Sequence, residues 1–300
     1  EIPVIVECYL GAASEEVEPF NYLSFPQVTF RQLKAIYNID SICGIKEYFG
    51  TIPNKEDANL RVAGLFFKNP AITEHQAIDK LAVSYGQAAE KIKKFWAKTS
   101  EAMELFPWDT SWFIREVGRC DIHHGMSGAF IRGQQAHSPS WCSTRAAIFM
   151  KTDSRQPDPW MLEDVQLRCT LAEARMAEAI EIGNHIKEIV PEKLREDFEK
   201  QLAEWVQFRK VAVSYKCHLR ETNLAELMRK WKKKTGSVPP EFITEMRQLL
   251  VLDNQNQTQS EEILAAIKCL DTDVEKFIST YFVIEGEDEI SKGHFSLTTK

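Results

Sequence analysis

Two glutamates of this chain occupy positions where a carboxyl group can take part in chemistry. Glu7 interrupts the apolar run at 2–10, and Glu47 follows a second apolar run at 41–46 and precedes Tyr48. Burying an unpaired carboxylate is unfavourable, so Glu7 needs either a functional role or a basic partner elsewhere in the fold. Both interpretations stay open at this point. Glu47 and Tyr48 likewise fit either a binding site or a loop salt bridge.

A second group of candidates lies in the stretch 118–159. Glycines and prolines interrupt this stretch, no helical or strand period survives in it, and it contains His123 and His124. An irregular segment of this length inside a compact domain is usually functional or disordered, and its aromatic and aliphatic content argues against disorder. The two histidines are candidates for contact with a hydroxyl or a carboxylate. A metal is not expected, because no second ligand cluster accompanies them.

The element that must position these residues is a pair of long helices predicted over 158–232. Apolar residues recur every three or four positions on both sides of Pro191, which predicts one apolar stripe along each helix. Pro191 suits the first position of the second helix, and Gly236 suits its end. The lysine-rich segment 230–234 is typical of a helix C terminus, where positive charge is favourable.

A βαβ unit comes before the helices. The sequence predicts a strand at 2–10, a helix at 28–37 and a strand at 41–46, the order that forms parallel sheets. Shorter helices follow, at 59–67, from Thr73 to Gly86, and at 88–106, 241–252, 260–269 and 273–282, with a last strand at 294–299. Two parallel strands that are both buried on two faces are not viable alone. We therefore expect the opening strand to belong to a larger sheet.

Composition limits the class of protein. The chain has 300 residues, 44% of them hydrophobic and 27% charged, which is ordinary for a soluble globular protein. Its net charge of −7 argues against nucleic acid, and no apolar run is long enough for a membrane span. Seven scattered cysteines without a CxxC pair indicate free thiols. They favour a reducing compartment only weakly, so the localisation stays unknown.

The first third of the chain resembles a known group of proteins. The resemblance lies in Gly-Ile-x-Glu-Tyr-x-Gly at 44–50, in Leu-Phe-Phe-Lys-Asn-Pro-Ala-Ile-Thr at 65–73, in Leu-Ala-x-x-Tyr-Gly-x-Ala-Ala-Glu at 81–90, and in Phe-Pro-Trp at 106–108. This order of motifs looks like the end of a glycoside hydrolase (β/α)8 barrel that continues into a C-terminal helical domain. The resemblance implies that the first strand is the seventh of the barrel and the second strand the eighth.

The resemblance also implies a site. Active sites of this fold lie at the C-terminal ends of the strands, which points to Glu7 as the catalytic nucleophile or base. Tyr9, Glu47 and Tyr48 are then substrate-binding candidates, and His123, His124 and Trp141 reach the substrate from the irregular stretch. Hydrolysis needs a second carboxyl group as acid, and that group would lie on an earlier strand that this chain lacks. The chain alone is therefore expected to be inactive.

Aromatic residues near the irregular stretch leave two interpretations open. Trp108, Trp112 and Trp141 suit stacking on sugar rings, and they equally suit packing of the loop onto the helices, since aromatic burial drives packing strongly.

The predicted fold class is mainly α: a helical domain built on a long helix pair, preceded by a βαβ remnant of a (β/α)8 barrel. The predicted domains are 1–56, the end of the barrel, and 57–300, the helical C-terminal domain. The expected partners are a carbohydrate substrate and the remainder of the barrel, with no cofactor, no metal, no nucleic acid and no membrane span. The rival interpretation is a non-catalytic helical module for protein interaction or scaffolding.

Overall fold

The structure is a computed structural model, and it describes residues 3–8, 10, 20–47, 56–107, 159–256 and 261–281. Within these ranges the fold is mainly helical and contains one sheet of two strands. The mainly α class predicted from the sequence is therefore confirmed. The irregular stretch, apart from its last residue, and the predicted strand at 294–299 lie outside the described residues.

The sheet is the predicted βαβ unit. Strand β1 (Val4–Cys8) pairs in parallel with β2 (Ile42–Glu47), and helix α1 (Pro26–Tyr37) connects them. The expectation that the first strand is buried on both faces is wrong for the described residues. Val4 is 43% exposed and Ile5 is 65% exposed, because the described part of the chain provides no second layer over that part of the strand.

Helix α1 begins with a proline and buries one apolar side. Pro26 stands at the start of the helix, where its missing N–H removes no hydrogen bond. Phe30 and Leu33 are buried on its inner side. The ring of Phe30 meets the ring of Phe66 edge-to-face with centroids 5.6 Å apart, so α1 packs directly on the next helix of the chain.

Three helices follow, and side-chain caps fix where two of them begin. Asp57 accepts hydrogen bonds from the N–H groups of Asn59 and Leu60 at the start of α2 (Ala58–Lys68). Thr73 and Gln76 form a capping box at the start of α3 (Glu74–Ala82). A 3₁₀ segment (Val83–Ala88) then leads into α4 (Ala89–Leu105), and Gly86 interrupts it with φ of 53°, as the sequence predicts for this glycine.

The two predicted long helices are present as α5 (Pro159–Ile186) and α6 (Glu192–Thr235), separated by a 3₁₀ turn (Lys187–Ile189). Pro191 directly precedes α6. Gly236 follows it in a left-handed conformation with φ of 83°, and its N–H donates to the carbonyl of Lys232 at 2.7 Å. A glycine accepts this conformation without strain, which explains why the helix ends there.

The last described helices are α7 (Pro240–Asn256), α8 (Glu261–Thr272) and α9 (Val274–Thr280). They surround a hydrophobic cluster that includes Met228 of α6, Leu250 of α7, Leu270 of α8 and Phe277 of α9. The sequence predicts a helix at each of these three places. Their ends differ from the predictions by a few residues, as expected for helix termini.

The chain divides into two compact units. The first unit consists of Glu1–Phe106 and Leu171–Arg209, and the second of Pro107–Thr170 and Lys210–Lys300. The predicted boundary between residues 56 and 57 stays a prediction. Across the described ranges, no helix combines the length and the apolar character that crossing a membrane requires.

Candidate functional site

Glu7 lies near the carboxyl end of β1, and its partner is on the neighbouring strand. The Nζ atom of Lys46 is 2.6 Å from Oε2 of Glu7. The side chain of Glu7 is 47% exposed and that of Lys46 is 60% exposed. The premise that Glu7 is a buried carboxylate is therefore wrong. The basic partner considered from the sequence is present in this chain.

The strand register explains this pairing. Ile5 lies opposite Gly44, Glu7 lies opposite Lys46, and Cys8 lies opposite Glu47. Successive side chains of a strand point to opposite faces. Ile5 and Glu7 accordingly belong to the exposed face, and Cys8, which is only 2% exposed, belongs to the buried one. Glu7 thus projects from the face of β1 that the described chain leaves open.

The other predicted site residues are only partly placed. Glu47 ends β2 at the same end of the sheet as Glu7, and only its backbone is described. The remaining candidates lie outside the described residues: Tyr9, Tyr48, His123, His124 and Trp141. Among the predicted site residues, the structure places Glu7 and the backbone of Glu47 at the carboxyl ends of adjacent strands.

The chemistry available at Glu7 follows from its partner. A carboxylate that pairs with an ammonium group is an acceptor and a nucleophile, and it has no proton to donate. The Glu7 carboxylate can therefore act chemically as a nucleophile or as a base. The 2.6 Å contact also restricts the orientation of the carboxylate.

The segment that follows β1 is fixed at both of its described ends. Leu10 is 3% exposed, and its carbonyl accepts a hydrogen bond from Oγ1 of Thr29 at 3.1 Å. Phe20 is 5% exposed. Its ring meets the ring of Phe208 edge-to-face at 5.5 Å. Helices α1 and α6 therefore determine where the connection after β1 begins and ends.

Sequence reasoning missed the polar residues that hold this connection. Glu204 of α6 accepts hydrogen bonds from the backbone N–H groups of Asn21, at 2.9 Å, and Tyr22, at 2.6 Å. Burial raises the pKa of Glu204, and the hydrogen bonds from the backbone oppose the rise. The sequence gives no indication of this role. Glu204 precedes the buried Trp205 in an amphipathic helix, and a glutamate at such a position is normally predicted to face solvent.

The second unit contains two buried acidic residues of its own. Glu221 and Asp253 are both fully buried. Burial, with the nearby Asp253 as a smaller cause, raises the pKa of Glu221 well above its usual range. Neither residue was singled out from the sequence. In the parts of the chain that the structure describes, histidine, cysteine and acidic side chains form no group of three that suits a metal ion.

Comparisons of the chain with protein-family models, with curated proteins and with solved structures found no match.

Proposed function

We propose that this chain is the C-terminal portion of a carbohydrate-active enzyme that hydrolyses glycosidic bonds. In this proposal β1 and β2 are the last two strands of a (β/α)8 barrel, and the helices form the domain that follows. The observation that carries the proposal is the position of Glu7, a carboxylate at the carboxyl end of a parallel strand, on its open face. Active sites of such barrels lie at that end of the strands.

The exposure of β1 supports this arrangement. Val4 and Ile5 present apolar side chains, and no other described strand pairs with the free edge of β1. An apolar parallel strand is normally covered on both faces. The remaining strands of a barrel would cover one face and fill the barrel interior with their side chains. The remainder of the barrel is thus the first partner that the proposal requires.

The reaction needs two carboxyl groups. As nucleophile, the Glu7 carboxylate attacks the anomeric carbon while the bond to the leaving oxygen breaks, and the second carboxyl group donates its proton to that oxygen. Water then hydrolyses the glycosyl ester and releases the carboxylate. As base, Glu7 instead removes a proton from the attacking water. Both routes need a general acid on an earlier strand.

Lys46 has a specific place in this proposal. Its ammonium group, 2.6 Å from Glu7, holds the carboxylate in one orientation at the end of the strand pair. Holding a reacting group in the productive orientation lowers the entropy that the reaction must lose. Lys46 would therefore position the nucleophile without reacting itself.

The test compares the 300-residue chain with the protein in which the barrel is complete. The proposal predicts aryl-glycoside hydrolysis by the complete protein and none by the 300-residue chain. Glu7→Gln in the complete protein should reduce kcat by a factor of about a thousand or more, as expected when a catalytic group is removed. Wild-type activity in Glu7→Gln, or hydrolysis by the 300-residue chain alone, would contradict the proposal.

A second candidate function is a non-catalytic interaction module. It is favoured by two large apolar side chains on one side of α6, Leu227 at 38% and Trp231 at 48% exposure. They lie four residues apart and are therefore neighbours on the helix surface. This function predicts that sugars do not bind, and that Leu227→Ser together with Trp231→Ser abolishes a protein interaction without unfolding the chain.

A further inference from the structure

The backbone that enters α1 has an unusual anion partner. The N–H groups of Asn21 and Tyr22 are consecutive, and both donate to the carboxylate of Glu204, at 2.9 Å and 2.6 Å. Successive N–H groups that converge on one anion form an anion-binding concavity. Here a side chain from a position more than 180 residues later occupies it. We call these two N–H groups and Glu204 the Glu204 clamp.

Asn59 of α2 bonds to the neighbouring backbone. It accepts a hydrogen bond from the N–H of Phe25 at 2.6 Å and donates one to the carbonyl of Leu23 at 2.9 Å. Asn59 is fully buried. The backbone of segment 21–25 is thus hydrogen-bonded to both α2 and α6.

The ring of Tyr22 adds a further contact to α6. The Nζ atom of Lys200 lies 5.4 Å from the centre of this ring, a distance at which an ammonium group is attracted to an aromatic face. Lys200 and Glu204 are four residues apart and thus share one side of α6. That side of the helix therefore holds both the backbone and the side chain of Tyr22.

The place of the clamp connects it to the candidate site. Segment 21–25 ends the connection that starts after β1, two residues beyond Glu7 and at the carboxyl end of the strand. The other described end of this connection is fixed by Thr29, which donates to the carbonyl of Leu10. Loops at this end of barrel strands form the active-site face.

We infer that Glu204 is a positioning residue for the candidate active site: it anchors the connection after β1 to helix α6. The inference rests on the proposed function, and it assigns to α6 a role beyond packing. Glu204 does not touch substrate in this account. It acts by fixing the backbone of Asn21 and Tyr22.

Hydrogen exchange tests the clamp in the 300-residue chain, without any assumption about activity. In Glu204→Ala, the amides of Asn21 and Tyr22 should exchange about tenfold faster or more, because each loses a charge-assisted hydrogen bond. Glu204→Gln should behave similarly, since an amide offers one acceptor and brings an N–H₂ group toward donors. Glu199→Ala is the matched control, because Glu199 is exposed on the same helix and its loss should leave these amides unchanged.

Chemical rescue separates the clamp from a general loss of packing. The cavity left by Glu204→Ala exposes two N–H donors, so added formate or acetate should bind there and slow the exchange of Asn21 and Tyr22. Sodium chloride at the same ionic strength should have a smaller effect. Equal amide exchange rates in wild type and Glu204→Ala, or exchange that formate does not slow, would show that Glu204 does not hold this backbone.

Activity tests the positioning role separately, in the protein with a complete barrel. Glu204→Ala should lower kcat about tenfold, and formate should restore it, whereas Glu199→Ala should have no effect. Faster exchange with an unchanged kcat would overturn the positioning role and leave a purely structural contact. If the wild-type protein hydrolyses no glycoside, the proposed function is refuted, and with it the role of Glu204 in catalysis. The hydrogen-exchange data would still show whether the clamp exists.

Discussion

The Nζ atom of Lys46 lies 2.6 Å from Oε2 of Glu7, across two parallel strands whose register places these residues opposite each other. About half of each side chain is exposed to solvent. Ion pairs of this kind contribute little to folding, because water already solvates both charges and screens their attraction. The pair thus gives the fold little stability, and in our account its function is to orient the carboxylate.

The first prediction tests that conclusion. Glu7→Gln and Lys46→Met should each change the free energy of unfolding by less than about 1 kcal/mol. Urea unfolding followed by circular dichroism measures this change in the 300-residue chain. A loss of several kcal/mol in either variant would show that the pair is needed for folding, and would remove the reason to assign it a role in a site.

The second prediction concerns two helical glycines with different surroundings. A Cβ atom at Gly64 of α2 would meet no atom within 4 Å, whereas one at Gly183 of α5 would lie 2.6 Å from Cδ1 of Leu202. Gly64→Ala should stabilise the chain by up to about 1 kcal/mol through helix propensity. Gly183→Ala should destabilise it by about 1–2 kcal/mol through overpacking, since Leu202 is itself buried.

The two alanine variants serve as controls for each other, because the chemical change is the same in both. The urea midpoints of the two variants and the wild type, measured under the same conditions, give the change in stability that each substitution causes. If Gly183→Ala stabilises the chain as much as Gly64→Ala does, then α5 and α6 do not approach each other as closely as the structure shows.

The third prediction is a pH dependence caused by Tyr85. Burial raises the pKa of Tyr85 to about 12 from its usual 10. The folded state keeps the phenol neutral, while the unfolded chain ionises it above pH 10. Its contribution to stability is therefore complete below pH 10, and roughly 2–3 kcal/mol of it is lost as the pH rises to 12.

Tyr85→Phe should remove this loss, so the variant's stability should fall less steeply between pH 10 and 12 than that of the wild type. Tyr37→Phe is the control, because Tyr37 is 60% exposed and should leave the slope unchanged. Identical slopes for wild type and Tyr85→Phe would refute the burial of this phenol.

The fourth prediction concerns thiol reactivity. Among the described cysteines, Cys43 is exposed, while Cys8, Cys169 and Cys217 are buried. Burial also raises the pKa of the Cys169 thiol to about 12, and only the thiolate reacts with alkylating reagents. Iodoacetamide at pH 8 should therefore label Cys43 before the buried cysteines, and Cys169 only after unfolding. Peptide mass spectrometry of native and urea-treated samples checks this order, which early labelling of Cys169 would contradict.

Local features of the fold were predictable from the sequence, and long-range ones were not. The capping box of Thr73 and Gln76 depends on residues three positions apart, and the helix end at Gly236 depends on one glycine after a run of helix formers. The hydrogen bonds and backbone preferences behind both features involve residues within one helical turn, so the local sequence contains the necessary information.

The candidate site could be predicted only in part, for the same reason. The sequence singled out Glu7, but its partner Lys46 is 39 positions away, and the partners of Glu204 are more than 180 positions away. Strand register and helix packing bring these residues together. A local sequence pattern contains no information about strand register or helix packing. The exposure of Val4 and Ile5 could not be predicted either, because a run of apolar residues is normally interpreted as buried.

The central claim is that Glu7 belongs to a carbohydrate site, and binding of iminosugars tests it most directly. These ligands carry a positive charge where the reacting sugar develops one, so they should bind near the carboxylate. A thermal-shift titration of the protein with a complete barrel should show a rise of a few degrees with at least one member of the panel at about ten times its Kd. Glu7→Gln should abolish that rise, while the exposed-site control Glu199→Gln retains it. A flat response of the wild type to the whole panel, or an equal shift in Glu7→Gln, would contradict the account.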